Sequence, residues 1–196
     1  MSLGEYTQRR NSMTHFICLS AKAQGGKDTS AKIIKDELER RGYKALVTHY
    51  ADLLKFICKN FFGWNGEKDE PGRTLLQKVG TDVIRAQDPD YWVDFVANLV
   101  RMFPNEWDFV IVSDCRFRNE IDRVADAGFP VTHVRIIRPN FDNGLTEEQK
   151  NHPSETALDG VAPDFLINNT TMSALRDQLQ QFCDTIVSER EQAETV

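Results

Sequence analysis

FICLSAKAQGGKDTSAK, residues 16 to 32, is the stretch on which the fold reading turns. Phe16 to Leu19 is an apolar run that reads as a short buried strand. A glycine turn follows at Gly25 and Gly26. An amphipathic helix then begins at about Lys27 and runs to Arg41, with Ala31, Ile34 and Leu38 on its apolar face and Gly42 as its stop. The stretch approaches the phosphate-binding pattern G-x-x-x-x-G-K-[ST] with two departures: Ala21 stands at the first glycine and Asp28 at the final Ser/Thr. Loop amides and a helix N-terminus together make an anion site. Gly25 and Gly26 let the backbone approach a phosphate with no Cβ in the way, and Lys27 can reach the terminal phosphates. Ala21 adds one methyl at the loop entry, tolerable if its φ is negative. Asp28 removes the usual Mg²⁺ hydroxyl ligand. Either Asp28 approaches the metal itself or through water, or Thr29 supplies the hydroxyl.

Working outward, apolar strands alternate with amphipathic helices. Ala45 to Tyr50 is predicted as the second strand, Phe109 to Ser113 as the third, Val131 to Ile137 as the fourth and Phe165 to Ile167 as the fifth. Helices are predicted over Asp52 to Phe62, Arg73 to Arg85, Tyr91 to Phe103, Asn119 to Ala127 and Met172 to Ser188. Gly63 to Gly72 reads as a turn-rich loop, and 139 to 163 as a loop-rich, mobile, lid-like segment. In the helix over 73 to 85 the expected buried face is Leu75, Leu76, Val79 and Val83, which leaves Arg85 pointing off it. This alternation predicts an α/β fold of three layers, α/β/α, with a five-stranded parallel sheet. One domain spans 16 to 190, between a polar tail at 1 to 15 and a short tail at 191 to 196.

Composition narrows the function. The 196 residues are 40% hydrophobic with a formal net charge of -6, which argues against broad binding of a nucleic-acid polymer. No apolar run is long enough for a membrane span, and the polar start lacks the apolar region of a secretory signal. The four cysteines, Cys18, Cys58, Cys115 and Cys183, form no C-x-x-C or zinc spacing. Reduced buried thiols and a cytoplasmic location are therefore expected.

Several further stretches carry a resemblance. GGKDTSAK (25 to 32) resembles the G-K-D-[TS] loop of the deoxynucleoside monophosphate kinases of phage and bacterial type. HYADLLK (49 to 55), RTLLQKVGTDVIR (73 to 85) and VSDCRFRNEID (112 to 122) resemble later motifs of that family, and HPSE (152 to 155) and INN (167 to 169) fit as well. The resemblance implies a P-loop kinase fold, ATP with Mg²⁺ as phosphoryl donor and a deoxynucleoside monophosphate (dNMP) as acceptor. In that family an Asp after the lysine is normal. Animal-type phosphomevalonate kinases also carry G-K-D, so a kinase of another small phosphorylated acceptor stays open. A non-catalytic nucleotide-binding sensor or partner subunit is the alternative from another class.

Candidate site residues follow. Lys27, Asp114 and Arg116 are the catalytic candidates, since phosphoryl transfer needs positioning and charge neutralisation more than covalent help. Ala23, Gly25, Gly26, Lys27, Asp28, Thr29 and Arg138 are assigned to ATP, with Arg138 leading into the lid-like segment. Lys55, Arg85, Asp114, Arg116 and Glu120 are assigned to the dNMP, with Glu120 orienting Arg116 or touching the sugar or base. Asp28, Thr29 and Asp114 are the Mg²⁺ candidates; Asp114 ends the third strand, where doubly wound sheets place ligands. His152 and Glu155 lie in the late segment without an assigned role. Trp64, Trp92 and Trp107 are expected to pack in the core or its rim. ATP and a dNMP are the partners expected, with no membrane, and a homodimer is left open.

Overall fold

The computed structural model describes residues 13–67 and 69–195. Five strands form one parallel sheet: β1 (His15–Ser20), β2 (Ala45–Thr48), β3 (Phe109–Val112), β4 (Val131–Ile137) and β5 (Phe165–Asn168), in the order β2-β3-β1-β4-β5. Successive strand side chains point to opposite faces, and β1 shows the consequence. Ile17 and Leu19 enter one core with Ala31, Ile34 and Leu38 of α1 (Lys27–Arg40) and Leu175, Leu179, Phe182 and Ile186 of α8 (Met172–Glu194). Phe16 enters the other, with Trp92, Val93, Val96 and Val100 of α4 (Tyr91–Met102) and Val124 of α5 (Asn119–Asp126). Burying each such aliphatic side chain stabilises the fold by roughly 1.5–3 kcal/mol. The chain is thus three layers, with the sheet in the middle.

Several boundaries move for local reasons. The expected tail at 1 to 15 falls mostly outside the described residues, but His15 already pairs with Phe109 in the sheet. The second strand ends at Thr48, because Tyr50 caps α2 (Ala51–Phe61). The third ends at Val112, leaving Ser113, Asp114 and Cys115 beyond it. The loop expected through Gly72 is cut short by α3 (Glu70–Gln77). Asp69 caps α3 by accepting from the Gly72 N–H, with Pro71 in its first turn. Two short helices, α6 (Glu147–Lys150) and α7 (Pro153–Thr156), interrupt the late segment, and α8 continues past Ser188 through most of the expected C-terminal tail. All four cysteines are buried and free.

The largest departure follows α3, where Lys78–Arg85 is a π-helix. Its wider turn carries Ile84, not Val83, toward the core; Val83 is 44% exposed. Gly80 is required there, since a Cβ would lie 2.5 Å from Leu54 of α2. The same wide turn brings Arg85 inward.

Candidate active site

The phosphate loop leaves β1, the central strand, at its carboxyl edge. The Gly25 N–H donates to Lys22 O at 3.0 Å and closes a tight turn. A Cβ on Gly25 would lie 2.8 Å from Ala21 Cβ and 2.9 Å from Lys22 O, so this turn admits only glycine beside Ala21. Gln24 (φ +57°) and Gly26 (φ +103°) are left-handed, whereas Ala21 is not among the positive-φ residues. The methyl at the loop entry therefore brings no backbone strain. Lys27 Nζ donates to Ala21 O at 2.8 Å. Burial, then the Arg116 charge, lower the Lys27 pKa, while Glu155, Asp28 and Asp114 oppose that shift.

Asp28 lies in the first turn of α1. Its Oδ1 accepts from Ser113 Oγ at 3.0 Å and lies 3.7 Å from His49 Nε2, and the side chain is 87% exposed. Thr29 beside it is exposed. Asp114 accepts from the Tyr50 N–H at 2.8 Å and the Ala51 N–H at 3.1 Å, one per carboxylate oxygen. It therefore caps α2, an element earlier in the chain, and each oxygen keeps a lone pair.

Beyond Asp114, Glu120 is an organising group. Its side chain is 2% exposed, and Oε2 accepts from the Arg116 N–H at 2.6 Å and the Phe117 N–H at 3.1 Å. Its other oxygen takes the Arg85 guanidinium, which lies 4.7 Å from the Phe117 ring centre. Burial pushes the Glu120 carboxyl up, against the pull of Arg85 and the two amides. Two expectations change here. Arg85, expected to point off the apolar face of its helix toward an acceptor phosphate, pairs with a buried carboxylate. Glu120 does hold Arg116, but by its main chain; the guanidinium it orients is that of Arg85.

The late segment closes over the loop. Glu155 Oε2 accepts from the Ala23 N–H at 2.9 Å, and Glu155 Oε1 accepts from Arg116 Nη1 at 2.5 Å. Lys22 Nζ donates to Glu155 O and to Asp159 at 2.7 Å. Arg138 contacts Gln24 O at 3.4 Å and stacks on Phe141, 3.7 Å from the ring centre. Loop, Arg116, Arg138 and late segment enclose a cleft of about 450 Å³. Lys55 stays apart, donating to Asp52 of its own helix at 2.8 Å. His152 caps α7 through Ser154, with no contact to the loop among the described residues. Trp92 is buried, and Trp64 and Trp107 are half-buried.

Sequence reasoning overlooked Ser113, His49, Lys22 and Asp159. Ser113 meets Asp28 and Lys22 meets Asp159 across long stretches of chain, which no local pattern marks, and His49, bonded to Asp52 of the following helix, reaches Asp28 only through the fold.

Comparison with known proteins places the fold and the family. The deoxynucleotide monophosphate kinase family profile matches residues 55–179. A candidate deoxynucleotide monophosphate kinase of Acanthamoeba polyphaga mimivirus is 28% identical over 186 residues, covering 79% of this chain and 88% of that protein. Among solved structures, the Mycobacterium tuberculosis APS kinase in complex with AMPPNP and APS aligns with a TM-score of 0.54 at 14% identity, covering 89% of this chain and 98% of that one. A sugar kinase from a Janibacter species aligns with a TM-score of 0.55 at 13% identity, covering 90% and 95%. These two establish a shared kinase fold. With the family profile matching more than half of its length, the chain belongs to the deoxynucleotide monophosphate kinase family.

Proposed function

We propose that the protein transfers the γ-phosphoryl group of ATP to the phosphate of a deoxynucleoside monophosphate, giving ADP and a deoxynucleoside diphosphate. An acceptor phosphate oxygen forms a bond to the γ-phosphorus as the bond to the β,γ-bridging oxygen breaks. No general base is required, because a phosphate monoester has a second pKa of about 6 and is mostly dianionic near neutral pH. Lys27, with the amides of Gly26, Asp28 and Thr29 and that of Ala23 once it leaves Glu155, holds the donor phosphates; Gly25 shapes the turn through its N–H to Lys22 O, and Arg138 closes over the phosphates. Arg116 neutralises the transferring group once it leaves Glu155. Arg85 and Glu120 shape the acceptor side, with Lys55 further out.

The oxygen donors Asp28, Thr29 and Asp114 fit Mg²⁺. Among the described residues there is no group of three or more His, Cys, Asp or Glu placed to hold a metal alone. That suits an ion which keeps several waters and shares its ligands with phosphates. Asp28 or Thr29 would hold it directly and Asp114 through water, using lone pairs its two N–H donors leave free. When bound, Mg²⁺ supplies charge neutralisation across the β- and γ-phosphates.

The observation carrying this reading is the joining of the carboxyl ends of β1 and β3: Ser113 donates to Asp28, next to Lys27, at 3.0 Å, and Glu155 ties the Ala23 N–H of the loop to Arg116. Among the described residues no helix is long and apolar enough to cross a membrane. The test is a panel of ribo- and deoxynucleoside monophosphates, with phosphomevalonate beside them, incubated with ATP and Mg²⁺ and read by product formation. Deoxynucleoside diphosphate products are expected. Turnover of phosphomevalonate alone, or ATP binding with no turnover of any acceptor, overturns the reading.

A further inference from the structure

The peptide between Gly25 and Gly26 is a vulnerable point in the phosphate loop. Both flanking residues are glycines, so no side chain biases its orientation. Turned one way it offers an N–H to an anion; turned the other way it offers a repelling carbonyl oxygen.

One side chain selects between these. Asn169 Nδ2, from the turn after β5, donates to Gly25 O at 3.0 Å. A carbonyl only accepts, so the amide nitrogen of Asn169 is the atom that must face it. A trans peptide holds its C=O and N–H on opposite sides. The bond therefore turns the Gly26 N–H away from Asn169, and among the described residues no protein acceptor meets that N–H. Asn169 is itself fixed. Its own N–H donates to Ile137 O at 2.7 Å, and Gln178 of α8 grips both the N–H and the C=O of Asn168, each at 2.9 Å. A Cβ on Gly26 would lie 2.5 Å from Asn169 Nδ2, so the amide packs directly against the glycine backbone.

We propose that Asn169 is a positioning residue for the donor phosphates: it locks the Gly25–Gly26 peptide with its N–H presented to the anion. The inference rests on the reading that this loop holds a nucleoside triphosphate. Without the lock, two glycines make a peptide flip sterically easy, and the loop spends part of its time with a carbonyl oxygen at the anion site.

Asn169→Ala removes the donor, and Asn169→Leu removes it while nearly keeping the shape and adding no charge. Calorimetry on the full chain measures ATP and inorganic tripolyphosphate binding. Both ligands should bind about tenfold more weakly to either variant, the size expected for one hydrogen bond, with the KM for dNMP unchanged. In the native chain, tripolyphosphate should shift the Gly26 amide proton resonance, a readout that needs no variant to fold. Native-like tripolyphosphate affinity in a folded variant, a loss confined to ATP, or an unmoved Gly26 resonance each overturns the inference. ATP and tripolyphosphate binding that depends on Asn169 in a chain that turns over no acceptor defeats the proposed reaction and leaves this lock standing.

Discussion

The Glu155 carboxylate bridges the phosphate loop and Arg116, 2.9 Å from the Ala23 nitrogen and 2.5 Å from Arg116 Nη1, with only 8% of its side chain exposed. A protein anion thus holds two groups that the proposed reaction assigns to substrate phosphate. Charge-assisted hydrogen bonds contribute about 1.5–3 kcal/mol each, so a phosphate must outcompete them. Glu155→Gln keeps the shape and drops the charge. Its expected effect is ATP binding about three- to tenfold tighter, seen by calorimetric titration. Weaker or unchanged binding would show that Glu155 supports the loop rather than competing for it.

Arg85 neutralises a carboxylate that has almost no access to water. Removing one partner of a buried ion pair costs about 3–5 kcal/mol, because the other charge is left uncompensated. Arg85→Ala should therefore lower thermal stability, not only raise the KM for dNMP. Without Arg85 the folded pKa of Glu120 rises further above its unfolded value. The folded state then binds more protons than the unfolded state in that window, and the variant loses stability as pH rises through it. Combining Arg85→Met with Glu120→Gln should restore most of the stability but not the acceptor KM. Recovery of both would remove Arg85 from the acceptor site.

The strand-loop-helix start and the five strands were legible because local periodicity and glycine placement encode them. Val131–Ile137 matches its predicted span, and Phe16 and Ile17 divide between the two cores as a two-residue period requires. The π-helix was not legible. RTLLQKVGTDVIR fits an α-helical face through Val83, and the close packing of Gly80 against Leu54 in the wider turn appears only in the structure. Asp114 and Arg116 were marked by their place after an apolar strand. Glu155 and Asn169 reach loop groups more than a hundred residues away, and no spacing rule reaches that far.

Two histidines, His133 buried and His15 half-buried, give the fold an acid limit. His133 shares a 2.7 Å hydrogen bond between Nε2 and Ser20 Oγ, while its Nδ1 is buried without a partner among the described residues. Burial, with Arg135 nearby and against the pull of Asp164, lowers its pKa to about 4. Burial and Arg190 likewise lower His15 to about 4, again opposed by Asp164. Both folded values lie below the unfolded 6.5, so the unfolded chain binds more protons between those limits. Stability should be fully present above about pH 6.5 and fall as pH drops toward 4. His133→Gln should flatten part of that slope in urea unfolding followed across this range. An unchanged slope would assign the acid sensitivity to carboxylates alone.

Asp28 and Thr29 can be separated by metal dependence. Ser113 Oγ steadies Asp28 at 3.0 Å, in the first turn of the helix that follows the loop. Asp28→Ala should raise the Mg²⁺ concentration needed for half-maximal turnover while leaving metal-free ATP binding nearly unchanged. Thr29→Ala should do less. The opposite ranking would make Thr29 the ligand.

Lys27 should be essential to transfer and dispensable to the fold. Its side chain reaches back to the Ala21 carbonyl at 2.8 Å, an acceptor that water can satisfy in its place. Lys27→Ala should therefore abolish phosphoryl transfer with little change in the unfolding midpoint. Its ionisation offers a second readout that needs no mutation. Burial and Arg116 hold its pKa below the ordinary lysine value of 10.5 in the free protein. A donor phosphate beside the amine favours the charged form and raises that pKa. Between the free and the bound values, nucleotide binding must take up a proton. ATP titrations at alkaline pH, repeated in buffers of different ionisation enthalpy, should show this uptake in the native chain, growing as pH rises into the window. The uptake should vanish in Lys27→Ala wherever that variant still binds nucleotide. Equal uptake in both chains would move the titrating group elsewhere, and transfer by the variant at the native rate would remove Lys27 from the reaction.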